Sequence, residues 1–156
     1  MLQHKIYKYV ANNKKAFHDY FIEDKYECGI SLAGSEVKSV KMGNINLKDS
    51  YAEIKDSSVI LKGVHISPYE KSGIFNRSPM RDRQLLLHKK EILKLKYATQ
   101  KDGMTLVPLS VYITTNGFVK VELGVAKGKK LYDKRETLAK KDAQRRAERG
   151  ISGRDD

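Results

Sequence analysis

The chain has 156 residues, and 31 Lys and Arg against 19 Asp and Glu leave a formal charge of 31 − 19 = +12 at pH 7. That length predicts one domain with at most an appendage, and no apolar run approaches the roughly 18 residues a membrane-spanning helix needs. A single cysteine, Cys28, excludes a disulfide framework and fits a reducing, cytoplasmic setting.

In chain order, Met1 to Lys15 has basic residues but no apolar h-region, so no secretory signal is read there. A strand pair is expected across Ala16–Ile22 and Tyr26–Leu32, turning at Glu23-Asp24-Lys25. SEVKSVKMG predicts a short helix with Ser35 as N-cap and Gly43 as its stop. Residues 50–66 fit a hairpin turning at Asp56-Ser57-Ser58. Residues 67–83 hold two prolines and a glycine without periodicity, which predicts a long mobile loop. The run Leu85–Tyr97 places Leu85, Leu86, Ile92, Leu93 and Leu95 on one helical stripe, ended by Asp102-Gly103.

Residues 104–125 give the clearest pattern. Val107, Leu109, Val111 and Ile113 alternate, then Val119, Val121, Leu123 and Val125 repeat the period of two. Asn116-Gly117 between them predicts a two-residue type I′ turn. Pro108 removes a ladder donor, so its strand is an edge or carries a bulge. Short antiparallel strands with an interposed helix predict a mainly β fold, a small closed β-barrel with flanking helices.

Charge then divides the chain. Residues 127–156 hold 11 Lys and Arg against 6 Asp and Glu, 11 − 6 = +5, with few apolar side chains. Such a segment cannot bury enough apolar surface to offset its ordering entropy. A folded domain over 1–126 and a basic tail over 127–156, disordered when free, are therefore expected.

The positive surplus points to a polyanion, because lysines and arginines release condensed counterions from phosphates on binding. Solubility alone is the plainer explanation of such a charge. Aromatics flanked by basic or hydrogen-bonding residues occur at Lys5-Ile6-Tyr7-Lys8-Tyr9, at Phe17-His18-Asp19-Tyr20-Phe21 and at Tyr112. Such rings can stack on unpaired bases, although most of them would equally serve as half-buried strand residues. Lys38 and Lys41 stand three apart on one helix face, where they can clamp a phosphate.

Catalytic readings fare worse. Gly124–Lys130, GVAKGKK, departs from a phosphate-binding loop in glycine spacing and lacks the following Ser or Thr. Glu23, Asp24 and Glu27 could hold a metal in a small RNA-processing nuclease, but no second acidic cluster completes a two-metal site. His4, His18, His65 and His88 have no metal-ligand spacing. Neither an enzymatic activity, a metal nor a cofactor is expected. A basic ribosome-associated RNA-binding protein of the translation apparatus remains an alternative from composition alone.

Four blocks carry a more specific resemblance. NNKKAFHDYFIEDKYECGISLAGSEVKSVKMG at 12–43, RDRQLLLHKKEI at 81–92, TLVPLSVYI at 105–113 and GVAKGKKLYDKRE at 124–136 stand in this order. Together they resemble the small protein B family, the bacterial SsrA-binding proteins. The resemblance implies an oligonucleotide-binding-type barrel and a non-enzymatic adaptor, with transfer-messenger RNA and the ribosome as partners. Such an adaptor binds the tRNA-like domain and enters the empty A site of a stalled ribosome for trans-translation, in the cytoplasm and as a monomer.

The resemblance also implies residue roles. Asn13, His18, Tyr20, Glu27, Lys38 and Lys127 match positions on the RNA-binding face, to which the helix spacing above adds Lys41. Glu27 would accept from guanine amino or imino groups, or orient neighbouring cations. Gly128, Lys129, Lys130, Tyr132, Asp133, Lys134 and Arg135 match the segment that enters the small-subunit decoding centre. Tyr132 stands where many family members have histidine. Beyond Arg135, Ala139, Ala143 and Ala147 recur every four residues, a spacing that permits a helix in the mRNA path.

Overall fold

The computed structural model describes residues 5–129, and within them the chain is mainly β with flanking helices. β1 (Ile6–Asn12) leads through α1 (Lys14–Asp19) into the long β2 (Tyr20–Ile30). α2 (Gly34–Lys41) follows, then β3 (Ile45–Asn46), β4 (Tyr51–Lys55), β5 (Ser58–Lys62) and β6 (His65–Ile66). β7 (Arg83–Leu86), α3 (Lys89–Lys101), β8 (Thr105–Thr114) and β9 (Val119–Gly128) complete the described chain. The strands pair in the order β1-β8-β4-β5-β7-β2-β9, and β9 pairs again with β8, so the pairings return on themselves.

The expected strand pair at 16–32 is not formed. Asn13 starts a helix instead, its Oδ1 accepting from the Ala16 N–H at 3.2 Å. Glu23-Asp24-Lys25 then runs through the middle of β2, with an irregularity between Ile22 and Asp24 that absorbs the acidic pair. β2 finds its partner in β9, from Tyr20 opposite Gly128 to Gly29 opposite Lys120. Local charge suggested a turn, and a distant strand overrode it.

β8 is buried along nearly its whole length, because it is a central strand with α1 over part of its outer face. The expected single stripe is broken here. Leu106 and Val111 join the main core, whereas Val107 and Leu109 pack outward with Ala16 and Ala126. The register shift between Pro108 and Ser110 explains the change of face, since one extra residue inverts the alternation. Pro108 thus marks a bulge in a central strand. Asn13 reads the same bulge, its Nδ2 donating to the Pro108 carbonyl at 2.9 Å while its N–H donates to Leu109 at 2.8 Å. Opposite lies Gly124, where a Cβ would stand 2.9 Å from Leu109 Cδ1. Gly124 is thus a packing position within β9.

The β8–β9 hairpin forms as expected, but its turn is longer. Gly117 N–H donates to Thr114 and only Gly117, at φ 85°, is left-handed. This is a three-residue loop closed by a glycine bulge rather than a type I′ turn. The β4–β5 hairpin turns at Asp56 and Ser57, with Ser58 already in the strand.

The expected helix at 85–97 divides. Leu85 and Leu86 lie in β7, paired with β2 and β5, and α3 begins only at Lys89. The Glu91 carboxylate accepts from the His88 N–H at 3.1 Å and caps its first turn. α2 begins at Gly34, and its N-cap is Ala33 rather than Ser35; Glu36 accepts from the Ala33 N–H at 2.9 Å.

The segment 67–83 is tied down at several points. Arg83, its side chain fully enclosed, gives Nε to Glu36 at 2.7 Å and Nη1 to the Val64 carbonyl at 2.8 Å. Arg81 forks onto the same carboxylate. Ser39 Oγ donates to Ser67, Ser35 Oγ donates to Phe75, and Asn76 bridges back to Tyr69. Burial opposes ionisation of Glu36, but Arg81, the Ala33 N–H and Arg83 together hold its carboxyl below the ordinary value.

Candidate nucleic-acid interface

Glu27 sits on the outer side of β2, directly opposite Glu122 of β9, with Cys28 turned into the core beside it. Two facing carboxylates repel. The Tyr112 hydroxyl, fully buried on β8, donates to Glu27 Oε2 and helps hold the charge in place. Burial pushes the Tyr112 phenol well above its usual pKa, and the bond to Glu27 adds to this, so it remains a donor at any physiological pH. Tyr9 covers the Tyr112 ring at 5.7 Å between centroids.

Glu27 opens onto a depression shared with Gly29, Leu86, His88, Glu91 and Lys120. A second depression shares Gly29, Leu86 and Lys120 and continues to Val37 of α2 and Phe118 of the hairpin. Together they form one groove. Its floor is apolar because Leu86 packs over Gly29, where a Cβ would come within 3.2 Å of Leu86 Cβ. Leu86 itself is 52% exposed. Lys120 supplies a cation beside the carboxylate. The groove therefore offers an acceptor, an apolar surface and a positive charge side by side.

Of the residues that line the groove, the sequence singles out Glu27 and not Leu86, Lys120 or Phe118. By its local pattern Leu86 belongs to a helical stripe, and Lys120 falls on the polar side of an alternating strand. One signal did exist, an aromatic and a lysine just after a hairpin turn.

Lys38 and Lys41 are exposed on α2 as expected. Lys38 Nζ lies 5.5 Å above the Tyr69 ring, so the tied-down segment fixes its direction. Lys41 reaches the hairpin: a Cβ on Gly117 would lie 4.0 Å from its Nζ. α2 thus borders the far end of the groove.

The remaining expected residues gather elsewhere. Asn13 is buried, and both its side-chain groups are engaged by the fold. His18 is exposed at the end of α1, its Nδ1 2.9 Å from Asp19. Tyr20 packs on the cluster under α1, opposite Gly128. Lys127 and Gly128 prolong β9 past the expected domain boundary, opposite Phe21 and Tyr20. Lys129 Nζ donates to the Phe17 carbonyl at 3.2 Å and stands 5.1 Å from the Phe21 ring, while Lys25 covers Phe17 at 5.8 Å. Alternating cations and rings thus surround the point where the basic run leaves the sheet. Lys130, Tyr132, Asp133, Lys134, Arg135 and the expected tail helix lie outside the described residues.

The aromatic distribution also departs from expectation. Phe17, Phe21, Phe75 and Phe118 are 48%, 43%, 70% and 61% exposed, so the phenylalanines face solvent rather than the core. Among the described residues, no three His, Cys, Asp or Glu side chains form a group that could hold a metal ion. Glu23 and Asp24 are exposed along an extended strand rather than in a tight turn, whereas Glu27 is buried. No helix among the described residues is long and apolar enough to cross a membrane.

Comparison with known proteins adds a family. The SmpB protein family matches residues 10–153. The SsrA-binding protein of Acetivibrio thermocellus is 60% identical over 142 residues, covering 91% of this chain and 92% of that one. That of Geobacillus thermodenitrificans is 56% identical over 147 residues, 94% of each chain. A solved structure described as "tmRNA-SmpB: a journey to the center of the bacterial ribosome" aligns with a TM-score of 0.64 at 44% identity, over 76% of this chain and 83% of that one.

Proposed function

The chain belongs to the SmpB protein family, and from that premise we propose that it binds transfer-messenger RNA at its tRNA-like domain and delivers it to the A site of stalled ribosomes. There the pair starts trans-translation, which frees the ribosome and tags the unfinished peptide. The protein works as a non-enzymatic, monomeric adaptor in the cytoplasm. The observation that carries the reading is the groove in which Glu27, Leu86 and Lys120 meet. A carboxylate accepts from a base edge, an apolar floor takes a base face, and a lysine holds the adjoining phosphate.

The pairing of β8 with both β4 and β9 supports reading the sheet as a closed barrel of the oligonucleotide-binding type. Its outer face then carries the RNA. The basic run from Lys129 onward serves a second partner, the small-subunit decoding centre, where four cations at Lys129, Lys130, Lys134 and Arg135 flank the ring of Tyr132. Division of labour between groove and tail follows from their chemistry. The groove has a defined shape for one RNA, and the tail has charge and one ring for another.

Capture of the protein from cells, with sequencing of the bound RNA, tests the reading directly. Transfer-messenger RNA should dominate, and Glu27→Gln together with Lys120→Ala should remove it. Recovery of ribosomal RNA alone, with the same yield from the double variant, would show a constitutive ribosomal protein instead.

A further inference from the structure

The groove has a second end that the RNA-binding reading leaves unused. Glu27 lies level with Glu122 on β9, four residues from Phe118. At about 3.3 Å per residue the two ends stand roughly 13 Å apart. Stacked neighbours in one strand lie about 3.4 Å apart, so bases at both ends of the groove cannot remain stacked on each other.

Phe118 is presented rigidly. Its carbonyl accepts from the Thr114 N–H at 2.9 Å, its own N–H donates to Thr114 Oγ1 at 3.1 Å, and the left-handed Gly117 closes the bulge beside it. The ring is nevertheless 61% exposed, at the mouth of a depression floored by Leu86 and Gly29. Lys41 borders the turn from α2, and Lys120 lies two residues along the strand. With the main chain beneath it fixed by these bonds, an exposed ring flanked by cations has only its own two side-chain torsions to order when a planar group covers it.

We propose that Phe118 is a base-stacking platform, receiving an unpaired nucleobase of the same RNA whose neighbouring base edge meets Glu27, with Lys120 on the phosphate between them and Lys41 on a phosphate beyond the ring. The proposal rests on the RNA-binding reading of the groove and adds a residue and a minimum ligand to it. The ligand spans at least two nucleotides, splayed apart, which a loop supplies and a regular duplex does not.

The chain has no tryptophan, so Phe118→Trp installs a single fluorescent ring at the site. Titration with the isolated tRNA-like domain should quench its emission in step with RNA binding. Phe118→Ala should weaken binding roughly 5- to 150-fold, the range of one lost base–aromatic stack. Its logarithmic salt slope should stay as in the parent, because no phosphate contact is removed. Phe118→Tyr should restore affinity. Constant emission while RNA binds at full affinity overturns the proposal, whatever the alanine variant does. So does quenching by ribosomes but not by the free domain, which would assign the ring to a ribosomal contact. If Glu27→Gln and Lys120→Ala still weaken binding in either case, the groove remains an RNA site and only the platform is lost. If they too bind normally, the RNA-binding reading itself has failed.

Discussion

Asn13→Ala separates structural from RNA-contacting roles at a residue the family resemblance assigns to RNA. In the fold, its Oδ1 caps α1 and its Nδ2 satisfies the Pro108 carbonyl at the bulge. Loss of an N-cap side chain costs about 1 kcal/mol. An orphaned buried carbonyl adds about 1–3 kcal/mol, the lower figure applying if water enters from the depression that Asn13 lines with Ala16, Tyr20 and Val107. The sum of about 2–4 kcal/mol is a large share of the roughly 5–15 kcal/mol that holds a domain folded. With a urea m-value of about 2 kcal/mol/M, the unfolding midpoint should fall by about 1–2 M with its slope unchanged. Asn13→Ser, which keeps a capping oxygen but cannot reach Pro108, should fall between the two. Under conditions where all three proteins are folded, RNA affinity should be nearly equal. An unchanged midpoint with lost RNA affinity would refute this reasoning and return Asn13 to the interface.

Lys38→Ala with Lys127→Ala should reduce the logarithmic salt slope of RNA binding by roughly 1.4–1.8, at about 0.7–0.9 per neutralised phosphate; weaker binding with the parent slope would mean these lysines act through packing. A chain ending after Lys129 keeps every paired residue of β9, so it should fold and bind RNA yet fail in peptidyl transfer on stalled ribosomes, whereas full transfer would remove the tail from the mechanism. Tyr132→Ala in the full chain should reproduce that defect without changing free-RNA affinity, and Tyr132→His should be tolerated. Because the folded Glu36 carboxyl lies below its ordinary 4.5, its contribution to stability is present above that value and fades as pH falls through the folded one. Glu36→Gln, which leaves Arg83 buried without its counter-charge, should cost about 3–5 kcal/mol at neutral pH and flatten the acid limb of a stability–pH curve.

What the sequence made legible were elements whose signal is local. The alternation at 119–125 and the helix stop at Asp102-Gly103 appear where expected, with Gly103 at φ 64°. Pro108 announced either an edge or a bulge, because a missing N–H is a property of the residue itself, and in this central strand the bulge is what forms. What stayed hidden depended on partners far along the chain. Glu23-Asp24-Lys25 reads as a turn until β9 arrives to pair with it, and Leu85 reads as helical until β2 and β5 flank it. Arg81 and Arg83 look like loop residues, since nothing near them in sequence names Glu36 as their counter-ion. The site behaved likewise. Glu27 is singled out by the family blocks, whereas Lys120 and Phe118 line the same groove only because three strands and α2 bring them together.

The partnership of β2 with β9 also sets a timetable. Tyr20 meets Gly128 across 128 − 20 = 108 residues, and the rest of β2 waits on the same strand. Contacts so distant in sequence come late, because a long loop must close before they form. During synthesis, the segment carrying Glu27 therefore lacks its neighbour until β9 has been made. The groove is thus a late product of folding, although Glu27 stands in the first fifth of the sequence, because the strand that faces it across the sheet is the last one among the described residues.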